Sequence, residues 1–209
     1  MTKGWFITGT DTEVGKTITA CTLVRYLKHT GASVGVMKPV SAGGREDAED
    51  LITAADSHDD LDVVNPVALT QPLSPNLAAE REGKCIDIPL VLNTYRQLSG
   101  EYEYLIVEGA GGLLVPLKDD YAISDLAADM ELPLIIVSRA ALGTINHTLM
   151  TIEAARTRGL EIAGVIYNHT TPSVDEASTR ESPKIVERIS GVPPLGTLPH
   201  FDDIDAVEK

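Results

Sequence analysis

A glycine-bracketed segment close to the amino terminus restricts the folds that this chain can adopt. Residues 9–17 read GTDTEVGKT, follow the apolar run Trp5–Ile7 and precede a helical pattern. A loop of this kind turns consecutive backbone N–H groups toward one point, where the helix adds its positive dipole end. Lys16 would place its charge on the terminal phosphates of a nucleotide, and the Thr17 hydroxyl could ligate Mg²⁺. The segment therefore predicts a nucleoside triphosphate site, with five residues rather than the usual four between its two glycines.

Apolar runs and helical patterns alternate along the rest of the chain, which predicts an α/β fold. The apolar runs are continuous, as is typical of parallel strands buried on both faces, and the helices between them would make right-handed crossovers. We expect a single domain over residues 1–209 with a doubly wound, mostly parallel sheet of the P-loop NTPase type. The predicted strands are Trp5–Thr8, Ser33–Met37, Tyr104–Val107, Leu132–Val137, Ile162–Tyr167 and Leu195–Leu198. The predicted helices are Lys16–Thr30, Glu46–Ala55, Pro75–Glu82, Pro89–Leu98, Ser124–Met130, Asn146–Arg158 and Pro183–Ile189.

The charge and composition of the chain exclude several classes of partner. The formal net charge is −14 over 209 residues, and such a field repels nucleic acid. No apolar run approaches the ~18 residues of a membrane helix, and the amino terminus has no signal-peptide pattern. Cys21 and Cys85 are too few for a disulfide framework. We therefore expect a cytoplasmic protein that binds neither nucleic acid nor membrane.

Polar residues follow the predicted strands at the points where the strands end. They occupy positions 8–13, 38–41, 108–112, 138–143 and 168. Because ligands of doubly wound sheets bind beyond the carboxyl ends of the strands, these residues are expected to share one crevice. The sequence therefore predicts one active site at that edge of the sheet.

Three charged residues near the strand ends could serve the nucleotide. Lys38 could neutralise charge on a transferring phosphoryl group, although a surface lysine with a buried stem is an equal alternative. Glu108 precedes glycines that let backbone approach a ligand closely, and the alternative is an incidental acid in a tight turn. Asp47 could supply another oxygen to Mg²⁺ or could be an ordinary aspartate at a helix start.

Two further signals are weaker. Residues 143–146 read GTIN and open a long helix, whose free N–H groups would suit a carboxylate. Ordinary capping by Thr144 or Asn146 is the alternative. Asn168 lies at a strand end and could contact an adenine edge, because its amide both donates and accepts hydrogen bonds.

Together these motifs resemble the dethiobiotin synthetases, ATP-dependent cyclo-ligases of biotin synthesis. The resemblance implies that 7,8-diaminononanoate, CO₂ and ATP are the substrates, that Mg²⁺ is the cofactor, and that the enzyme is a homodimer. One amine would take up CO₂ as a carbamate, ATP would phosphorylate it, and the second amine would close a cyclic urea as phosphate leaves. The matching segments are residues 9–17, 38–40 (KPV), 74–75 (SP), 108–112 (EGAGG), 143–147 (GTINH), 168 and 196–199 (GTLP).

The resemblance also implies roles for individual residues. The catalytic residues would be Lys38, Lys16 and Thr12. The ATP-binding residues would be Glu13, Val14, Gly15, Lys16, Thr17, Ile18, Asn168 and Pro199. The substrate-binding residues would be Thr12 and Ser41, with Gly143, Thr144, Ile145 and Asn146 from the neighbouring subunit. The ligands of Mg²⁺ would be Thr17, Asp47 and Glu108.

Departures from the family pattern and two alternative functions remain at this point. The loop from Gly43 to Asp47 is shorter than is usual in the family. Ala42 stands where the family usually has a hydroxyl residue, so Ser41 or water would take over that contact. A related amidoligase-type synthetase usually carries a second, glutamine-hydrolysing domain, for which this chain has no room. A partitioning or site-selection ATPase switch would need a basic face or an amphipathic anchor, which so acidic a chain does not favour.

Overall fold

Strands and helices alternate along the computed structural model, which describes residues 3–172 and 176–201. The strands are β1 (Lys3–Gly9), β2 (Val34–Met37), β3 (Val40–Ala42), β4 (Val67–Leu69), β5 (Tyr104–Gly112), β6 (Pro116–Lys118), β7 (Tyr121–Ala122), β8 (Leu134–Arg139), β9 (Ile162–Asn168) and β10 (Pro194–Leu198). The helices are α1 (Lys16–His29), α2 (Glu46–Ala55), α3 (Leu61–Val64), α4 (Pro75–Arg81), α5 (Ile88–Glu101), α6 (Ile123–Asp129), α7 (Thr144–Thr157) and α8 (Glu176–Ser190). Within the described ranges no helix is long and apolar enough to cross a bilayer.

The main sheet contains six strands in the order β10-β9-β8-β1-β5-β2, all of them parallel. β1 therefore lies inside the sheet, with β5 on one side and β8 on the other. The chain extends the sheet in both directions from β1, which confirms the predicted doubly wound α/β fold. Two small sheets flank it, a parallel pair β3–β4 and an antiparallel pair β6–β7.

Both faces of the main sheet are covered, and for this reason its strands are apolar without alternation. Phe6 and Ile7 are adjacent in β1, point to opposite faces and are both fully buried. Ile7 packs in one cluster with Val24 of α1, and Phe6 packs in another with Leu98 of α5. Each such side chain contributes about 1.5–3 kcal/mol when it is removed from water. The burial holds the strands in register, so that their carboxyl ends form one edge.

Several boundaries differ from the predicted ones. The strands β3, β4, β6 and β7 and the helix α3 span two to four residues each, too few for hydrophobic periodicity to reveal them. The helix α7 begins at Thr144 instead of Asn146, and β5 continues through Glu108 to Gly112. The helix α8 contains Pro183 in its interior, whereas the prediction placed that proline at a helix start, where proline is usually found.

Candidate active site

The phosphate loop, residues 9–15, connects β1 to α1 and has a backbone shape that its sequence enforces. Glu13 and Gly15 have positive φ angles of 55° and 90°. At Gly15 a Cβ atom would lie 2.0 Å from Nδ2 of Asn168, so only glycine fits there. Val14 is fully buried between these two residues and anchors the loop in the core. The loop therefore arrives at the start of α1 in a fixed, concave conformation.

Asn168 holds the backbone of the phosphate loop through a side-chain hydrogen bond. Its Nδ2 donates to the carbonyl oxygen of Val14 at 3.0 Å, and its side chain is buried. Pro199 follows β10, which is paired with β9 through Leu198 and Asn168, and it is exposed. Both residues thus lie at the same edge of the sheet as the loop.

The four polar side chains of Thr17, Lys38, Asp47 and Glu108 meet at one point beside the phosphate loop. Nζ of Lys38 lies 2.6 Å from Oδ2 of Asp47 and 2.7 Å from Oε1 of Glu108. The Thr17 hydroxyl lies 3.0 Å from Oδ1 of Asp47 and 3.0 Å from the same Oε1 of Glu108. Lys38 is 3% exposed and Glu108 is completely buried. The alternative of a surface lysine at position 38 is therefore wrong, and Asp47 is more than a helix-start residue.

The ionisable side chains of Lys16, Lys38, Asp47 and Glu108 shift one another's pKa values. Burial raises the pKa of the Glu108 carboxyl, and the Lys38 ammonium only partly opposes this effect. Burial alone would lower the pKa of Lys38, but Glu108 and Asp47 outweigh it and raise that pKa. Against its own burial, Asp47 has a lowered pKa because of Lys38. Lys16 has a lowered pKa because it is buried, although Glu108 acts in the opposite direction. Ionisable groups with shifted pKa values that cluster in a cleft are typical of functional sites.

The oxygen atoms of this cluster fit a magnesium ion. Thr17, Asp47 and Glu108 offer hydroxyl and carboxylate oxygens, the hard ligands that Mg²⁺ prefers, and Oε2 of Glu108 is buried without a hydrogen-bond partner. Among the described residues no group of three or more His, Cys, Asp or Glu side chains could hold a metal. A magnesium ion here would therefore share its coordination with phosphate oxygens and water, as it usually does.

A cavity of about 620 Å³ extends from this cluster across the edge of the sheet. Its walls come from the phosphate loop and the starts of α1 and α2, from the segment that runs from the end of β2 into β3, from the carboxyl end of β5, and from the loop that leads into α4. Ser41 lines it, but the Ser41 hydroxyl donates to Oδ1 of Asn65 at 2.9 Å. The lining residues are Thr12, Glu13, Gly15, Lys16, Thr17, Lys38, Ser41, Ala42, Asp47, Pro72, Leu73, Ser74, Pro75, Glu108, Ala110, Gly111 and Val115.

The start of α7 is built differently and lies apart from this cavity. Gly143 is the N-cap residue with φ 96°, and no side chain caps the helix, so the alternative of capping by Thr144 or Asn146 is wrong. The Thr144 hydroxyl is buried 2.7 Å from Oγ of Ser138, which also lies 2.8 Å from the Thr148 hydroxyl. Gly143 and Asn146 are exposed, and Ile145 is partly exposed. As far as the structure describes the chain, none of the residues 143–146 lines the 620 Å³ cavity.

A second cavity, of about 600 Å³, separates the phosphate loop from α7. Thr12 lines both cavities, and His147 and Met150 of α7 line only the second. Two large apolar side chains that line it are open to solvent, Leu114 at 52% and Met150 at 55% exposure. The residues 143–146 thus begin a helix whose next turn lines this second cavity.

Two residues of the site region carry no signal that the sequence analysis used. Nε of Arg45 donates to Oδ1 of Asn65, and Nδ2 of Asn65 donates to the carbonyl oxygen of Lys38. An asparagine directly before a proline within an apolar stretch, as at 65–66, is the one hint that the sequence offers. The loop residues Pro72 and Leu73 in the cavity wall were not identified either.

The fold and the site together define a nucleotide-binding protein of the P-loop NTPase class. Solved structures of that class have the same fold. The septum site-determining protein MinD of Pyrococcus horikoshii, solved with Mg-ADP, aligns with a TM-score of 0.63 at 18% identity over 95% of this chain and 82% of its own. The signal recognition particle receptor FtsY of Elizabethkingia anophelis aligns with a TM-score of 0.60 at 13% identity, over 99% of this chain and 61% of its own.

The sequence comparisons give the family. A family model described as an AAA domain matches residues 3–208. The ATP-dependent dethiobiotin synthetase BioD of Methanocaldococcus jannaschii is 40% identical over 96% of this chain and 95% of its own length. The proteins of the same name from Methanococcus vannielii and Bacillus subtilis are 43% and 40% identical over 92% and 97% of this chain, and 92% and 89% of their own lengths. The chain belongs to the family of ATP-dependent dethiobiotin synthetases.

Proposed function

We propose that this chain joins CO₂ to the two amines of 7,8-diaminononanoate, forming dethiobiotin, ADP and phosphate from ATP. The names of its relatives support the reaction. The observation that carries the proposal is the buried Lys38–Glu108 pair, 2.7 Å apart, at the wall of a cavity that begins at the phosphate loop. A cation held there by carboxylates can stabilise charge on a phosphoryl group that moves from nucleotide to substrate.

The chemistry requires a phosphorylated intermediate, because a carbamate oxygen is a poor leaving group. One amine adds to CO₂ and loses a proton, which gives a carbamate. A carbamate oxygen then attacks the γ-phosphorus of ATP, ADP leaves, and a mixed anhydride results. The second amine attacks the carbonyl carbon and loses a proton, and the C–O bond breaks with its electrons going to the departing phosphate, which closes the cyclic urea. Lys16 and Lys38 would stabilise the phosphate and carbamate charges, and Thr12, which lines both cavities, would contact the substrate.

Mg²⁺ is the cofactor in this proposal, with Thr17, Asp47 and Glu108 as its protein ligands. When bound, the ion would neutralise charge on the phosphate oxygens of ATP. The residues 13–18 would hold the phosphates, and Asn168 and Pro199 would face the adenine. Asn168 keeps its side-chain oxygen for this purpose, since its Nδ2 donates to Val14. Ser41 would contact the substrate only through the lone pairs of its oxygen, because its proton is directed to Asn65.

The substrate carboxylate would bind at the start of α7, on residues 143–146 of a neighbouring subunit. The first N–H groups of a helix and its positive dipole end favour an anion. Exposed Leu142 and Met150 beside that start give a second copy of the chain an apolar surface to cover. The enzyme would be a homodimer of single-domain subunits with shared sites. It would work in the cytoplasm, where free thiols such as those of Cys21 and Cys85 are kept reduced.

A label-incorporation assay tests the reaction directly. The purified protein is incubated with 7,8-diaminononanoate, ¹⁴C-bicarbonate and MgATP, and acid-stable label is counted. We expect label in the cyclic urea that depends on all three substrates, together with one phosphate released for each urea formed. ATP hydrolysis without acid-stable label would reject the synthetase and favour an ATPase switch.

A further inference from the structure

Asn65 is a buried asparagine whose side chain uses its full hydrogen-bonding capacity. It is 1% exposed. Its Nδ2 donates to the carbonyl oxygen of Lys38 at 2.7 Å and to that of Val67 at 3.3 Å. Its Oδ1 accepts from the Ser41 hydroxyl at 2.9 Å and from Nε of Arg45 at 3.1 Å. An amide offers two donors and two acceptor positions, so none is left over.

The backbone of Lys38 is held at both of its polar groups by this part of the chain. The Lys38 N–H donates to the carbonyl oxygen of Val64 at 2.8 Å, and the Lys38 carbonyl accepts from Asn65. Val64 is the last residue of α3, and Asn65 is its C-cap. The end of α3 therefore fixes the point from which the Lys38 side chain reaches toward Asp47 and Glu108.

Arg45 fixes the other partner of the ion pair to the same place. Its guanidinium donates to the carbonyl oxygens of Leu61 and Asn65 at 2.7 and 2.8 Å, and to Oδ1 of Asp62 at 2.7 Å. Arg45 is also the N-cap residue of α2, whose second residue is Asp47. Anchoring the Arg45 side chain on α3 thus anchors the helix start that presents the Asp47 carboxylate.

Lys38 lies between β2 and β3 and Asp47 lies in α2, yet both segments are tied to the end of α3, the first through Asn65 and the second through Arg45. We propose that Asn65 and Arg45 are positioning residues that set the distance between Lys38 and Asp47 without contacting any reactant. This inference rests on the proposed function, because it concerns residues that hold the side chains of the same site in place. It also gives Ser41 a partner within the protein.

The test replaces Asn65 by leucine, which keeps the approximate volume and removes every hydrogen bond of the amide. Because a misplacement of about 1 Å at a reacting group can cost ~10²-fold in rate, we expect N65L to lower kcat about 100-fold. We expect its KM for ATP to rise only severalfold, far less than kcat falls, because the phosphate loop itself is untouched. Arg45→Lys keeps the charge but cannot bridge the same acceptors, and an intermediate loss of roughly tenfold in kcat is expected.

A matched control separates positioning from general damage to the fold. Tyr95→Phe removes a partly buried hydrogen bond, from the Tyr95 hydroxyl to the carbonyl oxygen of Met130 at 2.8 Å, on an element outside the site. Thermal unfolding of all variants is recorded together with kcat. If Y95F loses as much activity as N65L, or if folded N65L and R45K keep wild-type kcat, positioning is rejected.

A binding measurement tests the proposal without turnover. MgATP is titrated calorimetrically into wild type, N65L, Asp47→Asn and the double variant. If Asn65 acts through the Lys38–Asp47 pair, N65L should weaken MgATP binding severalfold in the wild-type background and less than twofold in D47N. If the two substitutions act independently, so that their fold-changes in MgATP affinity multiply in the double variant, the proposal is overturned. If the wild type binds MgATP but forms no dethiobiotin, the proposed function fails while this cycle still decides the role of Asn65.

Discussion

Two regions near the carboxyl ends of the strands differ: a lysine end around Lys38, which the chain completes by itself, and a helix end at the start of α7, which it leaves open. At the lysine end, hydrogen bonds and ion pairs join the side chains of Thr17, Lys38, Asp47 and Glu108 to one another, and Lys38 and Glu108 are buried. At the helix end, the start of α7 has no capping side chain and Asn146 is exposed. The comparison teaches that the charged groups of the lysine end are positioned by contacts with one another, while the helix end leaves polar groups exposed for other molecules to cover.

The lysine end should be far more sensitive to substitution, and Lys16 should show the largest effect. Nζ of Lys16 donates to the carbonyl oxygen of Asp11 at 3.2 Å across the phosphate loop, so its charge is directed into the nucleotide site. Lys16→Ala is expected to lower turnover by at least ~10²–10³ because a charged contact to the transition state is lost. Steady-state rates at saturating ATP measure the effect. Lys84→Ala, which removes a half-exposed lysine paired with Glu82, should leave the rate unchanged; equal losses in both variants would contradict the assignment.

A smaller effect is expected from Glu108, which tests whether the cluster is a metal site. Glu108→Gln keeps the shape of the side chain and removes the charge that faces Lys38 and Thr17. Hydrogen bonds to charged groups contribute about 1.5–3 kcal/mol, so the half-saturating Mg²⁺ concentration should rise about tenfold or more. The half-saturating concentration is obtained by measuring reaction rates over a range of Mg²⁺ concentrations. Glu103→Gln, at an exposed position beside Lys3, is the matched control. An unchanged magnesium requirement would make Glu108 a structural residue.

The smallest effect is expected at the open end. Asn146→Asp adds one negative charge to the first turn of α7, where an acid favours the helix but repels a bound carboxylate. Interactions of this kind are worth about 0.3–1 kcal/mol, so KM for 7,8-diaminononanoate should rise by about fivefold at most, with ATP affinity unchanged. Asn93→Asp makes the same change at an exposed position of α5. If N146D leaves the KM for 7,8-diaminononanoate unchanged, the start of α7 does not bind the substrate carboxylate.

The sequence identifies those parts of the site that depend on local pattern. The glycine loop, the buried strands and the polar residues that end them are visible because strand and loop signals are adjacent in the chain. The inward orientation of Thr144 is not visible, since it depends on Ser138 and Thr148 in a packed structure. The role of Asn65 depends on contacts with Lys38, 27 positions away, and with Arg45, 20 positions away. Such contacts follow from the packing of α2 and α3 against the sheet, which no periodicity encodes.

The contact between Asn168 and the phosphate loop has a consequence for protein synthesis. The loop leaves the ribosome well before the residue that supports the Val14 carbonyl, which lies 154 positions later in the chain. Amino-terminal segments generally begin to fold during translation, while pairings distant in sequence must wait for the remaining chain. A nascent chain therefore carries its nucleotide motif in an unsupported form until β9 has been made. Truncated products that end before that strand would contain the whole motif and still lack a finished nucleotide site.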